Sequence, residues 1–177
     1  MARISADALG YSTAALQAGN IAEAIAIRNQ KEGIVAGSND HLIAKKIEIL
    51  LSRTPKALAD CPTDILEPLR IVAALMTLWG VNSIRQFATI EGELGYRMSA
   101  EAVAQSLSTY AAFLGAIQGF KEVGIEKVEL LPAGLPDECE TCRATNGKVY
   151  PVDQVPELPL EGCSCEKWCR VWVVAVG

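Results

Sequence analysis

Residues 139–169 read CETCRATNGKVYPVDQVPELPLEGCSCEKWC, and five of the chain's six cysteines fall inside this stretch. Cys139 and Cys142 form a C-x-x-C pair, Cys163 and Cys165 a C-x-C pair twenty residues further on, and Cys169 follows. Three chemistries use such a cluster: a structural metal, disulfides, or a redox-active thiol pair. A tetrahedral zinc ion takes four sulfurs at about 2.3 Å each, and two close pairs on facing turns supply them. Asn146-Gly147 turns the chain and Pro156 and Pro159 stiffen its return, which brings the second pair beside the first. That is the outline of a zinc ribbon, with C-x-C standing where a second C-x-x-C is usual. The expected ligands of a structural Zn2+ are Cys139, Cys142, Cys163 and Cys165, with Cys169 as the alternative fourth. Disulfides rank second, because a protein made in the cytosol keeps its thiols reduced. A thioredoxin-like pair ranks last, since Cys139 does not read as the start of a helix that follows a strand.

The sequence around the cysteines is that of a small antiparallel β-unit. IEKVELLPAG (125–134) alternates as a short strand does, NGKVY (146–150) carries a hairpin signal, and WCRVWVVAV (168–176) is β-branched and aromatic. In this last strand Trp168, Trp172, Val174 and Val176 share one face and Cys169, Val171, Val173 and Ala175 the other. Both faces are apolar. Residues to about Val171 are expected to complete the unit's own sheet, and those beyond it to add to a neighbouring subunit. A unit this small has little core of its own and calls for a staple.

Upstream, residues 1–122 read as a run of helices, and 123–177 as the cysteine-rich β-unit. IAEAIAI (21–27) suits a helix face reaching to Val35, with Gly37 and Ser38 breaking it. Asn39 or Asp40 can cap the next helix, whose Leu42, Ile43, Lys46, Ile49 and Leu50 form a stripe. Thr54-Pro55 signals a short helix that Cys61-Pro62 stops. Thr63-Asp64 opens a helix through IVAALMTLW (71–79) that is apolar nearly all round and so belongs at the core's centre, with Pro68 near enough to its start to be tolerated. Ser99 caps the longest helix, where Val103, Leu107, Tyr110, Leu114 and Ile117 recur at steps of four and three as the core stripe of a bundle. Gly115 and Gly119 on it would allow a close helix approach. The fold class is therefore mainly α: a helical bundle followed by a zinc-ribbon-like antiparallel β-unit.

Half of the 177 residues are hydrophobic, which permits a sizeable core and argues against disorder. The formal net charge is −5, and no lysine- or arginine-rich run occurs, so a phosphate track for nucleic acid is missing. The longest apolar stretch, IVAALMTLW, is about half a bilayer span, and the N-terminus lacks a secretory pattern. No phosphate-binding glycine loop, G-x-S-x-G or H-E-x-x-H is present. The single histidine, His41, lies far upstream and reads as a surface residue. Cys61 reads as a buried structural thiol. A four-cysteine site leaves an ion no open position for activating water, so the expectation is a protein that is not an enzyme.

Residues 120–171, FKEVGIEKVELLPAGLPDECETCRATNGKVYPVDQVPELPLEGCSCEKWCRV, resemble the C-terminal module of Mu-type phage minor head proteins, the head-morphogenesis family. The matching parts are the leading strand, Cys139 and Cys142, the NGKVY turn, the Pro156–Pro159 stretch and the closing pair Cys163 and Cys165. Two positions depart from the family pattern: Glu161-Gly162 stands where a histidine-proline is usual, and Ser164 where an arginine is. Without that histidine a mixed His/Cys ligand set is out of reach, which makes Cys169 a substitute. The resemblance covers about 55 of the 177 residues. It implies a structural component of a bacteriophage virion at the head or neck, of minor head, head–tail connector or adaptor type. Its partners would be other virion proteins (portal, connector or capsid) and further copies of itself. It would be assembled in the host cytoplasm, without membrane or sequence-specific nucleic-acid contacts. The alternative function is a cytosolic zinc-ribbon adaptor that binds nucleic acid or a polymerase. Arg143, Lys148, Lys167 and Arg170 are too sparse to favour it.

Overall fold

The computed structural model describes residues 4–33, 39–81, 83–87, 95–165 and 168–176. Six α-helices occur among them: α1 (Ala6–Gln17), α2 (Ile21–Glu32), α3 (Asp40–Ser52), α4 (Thr63–Trp79), α5 (Ala100–Glu122) and the short α6 (Glu140–Arg143). Three strands, β1 (Lys127–Pro132), β2 (Lys148–Pro151) and β3 (Val171–Ala175), form one antiparallel sheet in the order β2-β1-β3. No described helix is long and apolar enough to cross a membrane. The expected class, mainly helical with a small C-terminal antiparallel sheet, is the observed one.

Side chains fix the helix starts. Ser5 accepts from the Ala8 amide at 3.3 Å, Asn20 from the Glu23 amide at 3.3 Å, and Ser99 from the Ala102 amide at 3.2 Å. Each satisfies an amide that has no partner inside its helix. Helix α2 stops at Gly33, whose φ of 64° is a left-handed conformation that favours glycine. It thus ends before Val35; Val35, Gly37 and Ser38 lie outside the described residues. Thr54-Pro55 leads into a single 3₁₀ turn, Lys56–Leu58, rather than an α-helix.

Helix α4 occupies the centre of the helical core, with ten buried residues from Leu66 to Trp79. Its Arg70 is buried too, and it donates to the carbonyls of Leu50 and Arg53, to Thr54 Oγ1 and to Glu67. Those carbonyls lie at the end of α3, where the helix itself offers no donor. On α3 the buried residues are Ile47 and Leu50, while Leu42 is 49% exposed. The expected stripe is rotated: Ile47 faces the core and Leu42 faces out.

Helix α5 enters two hydrophobic clusters. Val103, Leu107 and Ala111 pack into the helical core. Phe113, with half-buried Leu114 and Ile117, packs instead against the cysteine-rich unit. Its apolar stripe therefore serves two cores in succession, not one bundle. A Cβ at Gly115 or Gly119 would meet nothing within 4 Å, so neither glycine marks a close helix contact.

The tail departs from expectation in two places. Asn146-Gly147 does not join two strands; it carries the chain from α6 into β2, with Gly147 at φ 72° and the Lys148 amide donating to Thr145 O at 3.0 Å. β3 pairs with β1 along its whole length, from Pro132↔Val171 to Val128↔Ala175, so residues past Val171 belong to the chain's own sheet.

Candidate metal centre

The thiol cluster is assembled from two turns and the approach to β3. Cys139 immediately precedes α6 and Cys142 lies within it, so a spacing of three puts both on one side of that turn. Cys139 thus does precede a helix, contrary to the sequence reading, although that helix has only four residues. The second turn reverses at Gly162, whose φ is 76°, and the Cys163 amide closes it on Leu160 O at 3.1 Å. Thr141 Oγ1 donates to Gly162 O at 3.3 Å, and the Cys139 amide donates to Cys165 Sγ at 3.4 Å. These two bonds hold the turns face to face.

The sulfurs of Cys139, Cys142, Cys163 and Cys165 all lie within 4.8 Å of one another. The separations are 3.9 Å for Cys139–Cys163, 3.5 Å for Cys142–Cys163 and 3.7 Å for Cys142–Cys165. Four sulfurs at about 2.3 Å from a tetrahedral ion stand about 3.8 Å apart, whereas a disulfide draws two sulfurs to about 2.05 Å. The quartet has the spacing of a tetrahedral thiolate site and can hold a metal ion. Cys169 joins it from the side, 3.8 Å from Cys142. None of the six cysteines is in a disulfide.

Cys142 is fully buried and Cys169 nearly so, while Cys139, Cys163 and Cys165 are half-buried. Hydrogen bonds with the Cys163 and Cys169 sulfurs, then burial, push the Cys142 thiol well above its ordinary range. The Cys142 and Cys163 thiols bring Cys169 down to about 4 against its burial, helped by backbone amides. Burial alone would raise Cys139, but the Cys142 and Ser164 amides and neighbouring thiols outweigh it and hold it low. Cys165 is pushed up to about 11, mainly by burial. Two thiols are thus held low and two high, and a bound cation would favour the thiolate form of each ligand.

Sequence reasoning missed the apolar bed under the sulfurs. Leu158 and Leu160, from the proline-rich return, pack with Phe113, Leu130 and Val171 around Cys142 and Cys169. The signal was present: two leucines in a loop otherwise rich in polar and proline residues. Glu138, beside Cys139, is buried with Oε1 lacking a partner, which no local pattern foretells. His41 is exposed on α3 and takes no part in the cluster. Cys61 is buried in the helical core, and burial raises its thiol.

The sheet's two faces differ. Val128, Leu130 and Val171 are buried beneath it, whereas Trp172 is 65% exposed on the outer face, opposite Leu131 of β1. β3 is an edge strand, and an open groove of about 700 Å³ lies between it and the small residues Ser108, Ala112 and Ala116 of α5.

Comparison with protein-family models, with curated proteins and with solved structures finds no match to this chain.

Proposed function

We propose that this chain is a structural component of a bacteriophage head or neck, whose zinc-stapled tail docks on neighbouring virion proteins. The observation that carries the docking is Trp172: a large aromatic side chain left 65% exposed on an edge strand whose base is tied to the thiol cluster. Exposed apolar edge strands invite pairing with other chains unless they are covered. The phage setting rests on the resemblance of residues 120–171 to the head-morphogenesis module. Zinc is the proposed ion because an all-thiolate tetrahedral set suits it, and a site closed by four sulfurs makes its role structural rather than catalytic.

The test is incorporation. The tagged full-length chain and its Trp172→Asp variant are expressed during phage production, and purified particles are probed for each. The unaltered chain is expected in the particles, and Trp172→Asp is expected to keep its zinc and helicity while dropping out of them. Particles lacking the unaltered chain would overturn the virion reading. Normal incorporation of Trp172→Asp would overturn docking through the sheet.

A further inference from the structure

Five sulfurs crowd a centre that needs four. The quartet is complete without Cys169, since its members all lie within 4.8 Å of one another. Cys169 nevertheless meets one of them, Cys142, at 3.8 Å. A separation of 3.8 Å from Cys142 is also the edge of a tetrahedral thiolate site, so Cys169 sits at ligand distance from a fixed member of the set.

The chain suggests which ligand would give way. Cys139 and Cys142 are locked together by α6, and Cys163 is fixed by the Gly162 turn. Cys165 and Cys169 are four residues apart on the one segment that leads into β3. Arg170 O accepts from the Ala133 amide at 3.0 Å, so the strand end of that segment is anchored beside Cys169. An exchange between these two would release the Cys139 amide from Cys165 Sγ and leave the bond from Thr141 Oγ1 to Gly162 O in place.

We infer that Cys169 is a reserve ligand: Cys139, Cys142 and Cys163 hold the ion throughout, and Cys165 and Cys169 exchange at the fourth position. In the exchange one metal–sulfur bond to Cys165 breaks as one to Cys169 forms. Any proton on the incoming thiol passes to the outgoing one. The ion keeps four sulfurs and its oxidation state, so no oxidant or reductant is needed. Since the segment carries Trp168 beside Cys169, the choice of ligand also sets the wall of the groove between α5 and β3. The inference rests on the metal reading proposed above.

Cobalt(II) serves as the probe, with sulfur ligands counted by X-ray absorption on the full-length chain. Wild type, Cys165→Ser and Cys169→Ser are each expected to bind one cobalt through four sulfurs. The double variant is expected to show three sulfurs and to bind about 100-fold more weakly or worse. Three sulfurs in Cys165→Ser would overturn the inference, because Cys169 would then not replace it. Three in Cys169→Ser would overturn it too, because Cys169 would then be a permanent ligand. Wild type that takes up no cobalt or zinc removes the metal reading itself, before any variant is compared. A second measurement does not depend on variants that fold. In zinc-loaded wild type, alkylation mapped by peptide mass should label Cys165 in part while Cys139 and Cys163, half-buried like it, stay protected. Complete protection of Cys165 overturns the exchange.

Discussion

The backbone amide of Lys56 donates to Glu157 Oε1 at 2.6 Å, joining residues 101 positions apart. Lys56 opens the 3₁₀ turn before α4, and Glu157 belongs to the proline-rich return that carries Leu158 under the thiol cluster. A carboxylate therefore caps a turn of the helical part from the tail. Glu157→Ala is expected to lower stability by about 1 kcal/mol, the typical worth of one such bond at a partly exposed position. Chemical denaturation would measure it. An unchanged midpoint would mean that the two parts are held together by α5 alone.

A second prediction separates the staple from the helices. Cys142 is the most enclosed thiol and the one that meets Cys163, Cys165 and Cys169 together. With zinc as the proposed ion, Cys142→Ser should abolish its binding and loosen β1–β3, while the far-ultraviolet helical signal changes little. Elemental analysis of the purified variant, together with circular dichroism, checks both halves. Loss of the helical signal would show that the helical core depends on the metal.

Position along α5 should decide which core a truncation harms. Leu107 is fully buried in the helical core, so Leu107→Ala is expected to cost about 2–5 kcal/mol. Ile117 is half-buried against the cysteine unit, so Ile117→Ala should cost less and show first as faster amide exchange in the sheet. Ser108, whose hydroxyl only bonds back to Ala104 O at 3.0 Å, should tolerate alanine. Equal effects at the two apolar positions would contradict a helix divided between clusters.

Alkaline pH should expose Tyr96. Burial, and then the hydrogen bond its hydroxyl donates to Asp60 at 2.8 Å, raise this phenol to about 12, with Arg97 opposing. A raised value means that the fold favours the protonated phenol. Its contribution is complete below the ordinary value of about 10 and disappears as pH rises toward 12. Phenolate absorbance should show one tyrosine titrating late, and Tyr96→Phe should remove that step. A late step that survives the substitution would belong to another residue, with Tyr110 the first candidate because its phenol is raised as well.

The parts legible in the sequence were those that a local rule decides. Ser99 announces a helix start because its side chain competes for the first free amides, and the apolar girth of α4 announces a central helix. The four-cysteine set was legible from spacing, since a short turn is the only way to bring Cys139 and Cys142 to one point. What failed was whatever depends on a distant neighbour. Ile47 rather than Leu42 faces inward because α3 must meet α4 and α5 at once, and the pattern of one helix does not contain that angle. Asn146-Gly147 is a turn as expected, yet a short helix lies before it where a strand was assumed. Leu158 and Leu160 read as loop residues although two leucines in a polar, proline-rich loop marked the apolar floor under the sulfurs.

The strand order has a consequence for how the chain is made. β1 is the central strand, and its partner β3 is forty residues further along, so half of β1's pairing must wait until Val171–Ala175 has left the ribosome. The helices from α1 to α5 have by then been synthesised and hold mostly neighbouring contacts, which form early. During that interval Leu130 and Leu131 lack their partners Val173 and Trp172, and the first cysteine pair lacks the second. The nascent tail is thus a waiting half-site, a point at which a chaperone or an assembling neighbour would find it open.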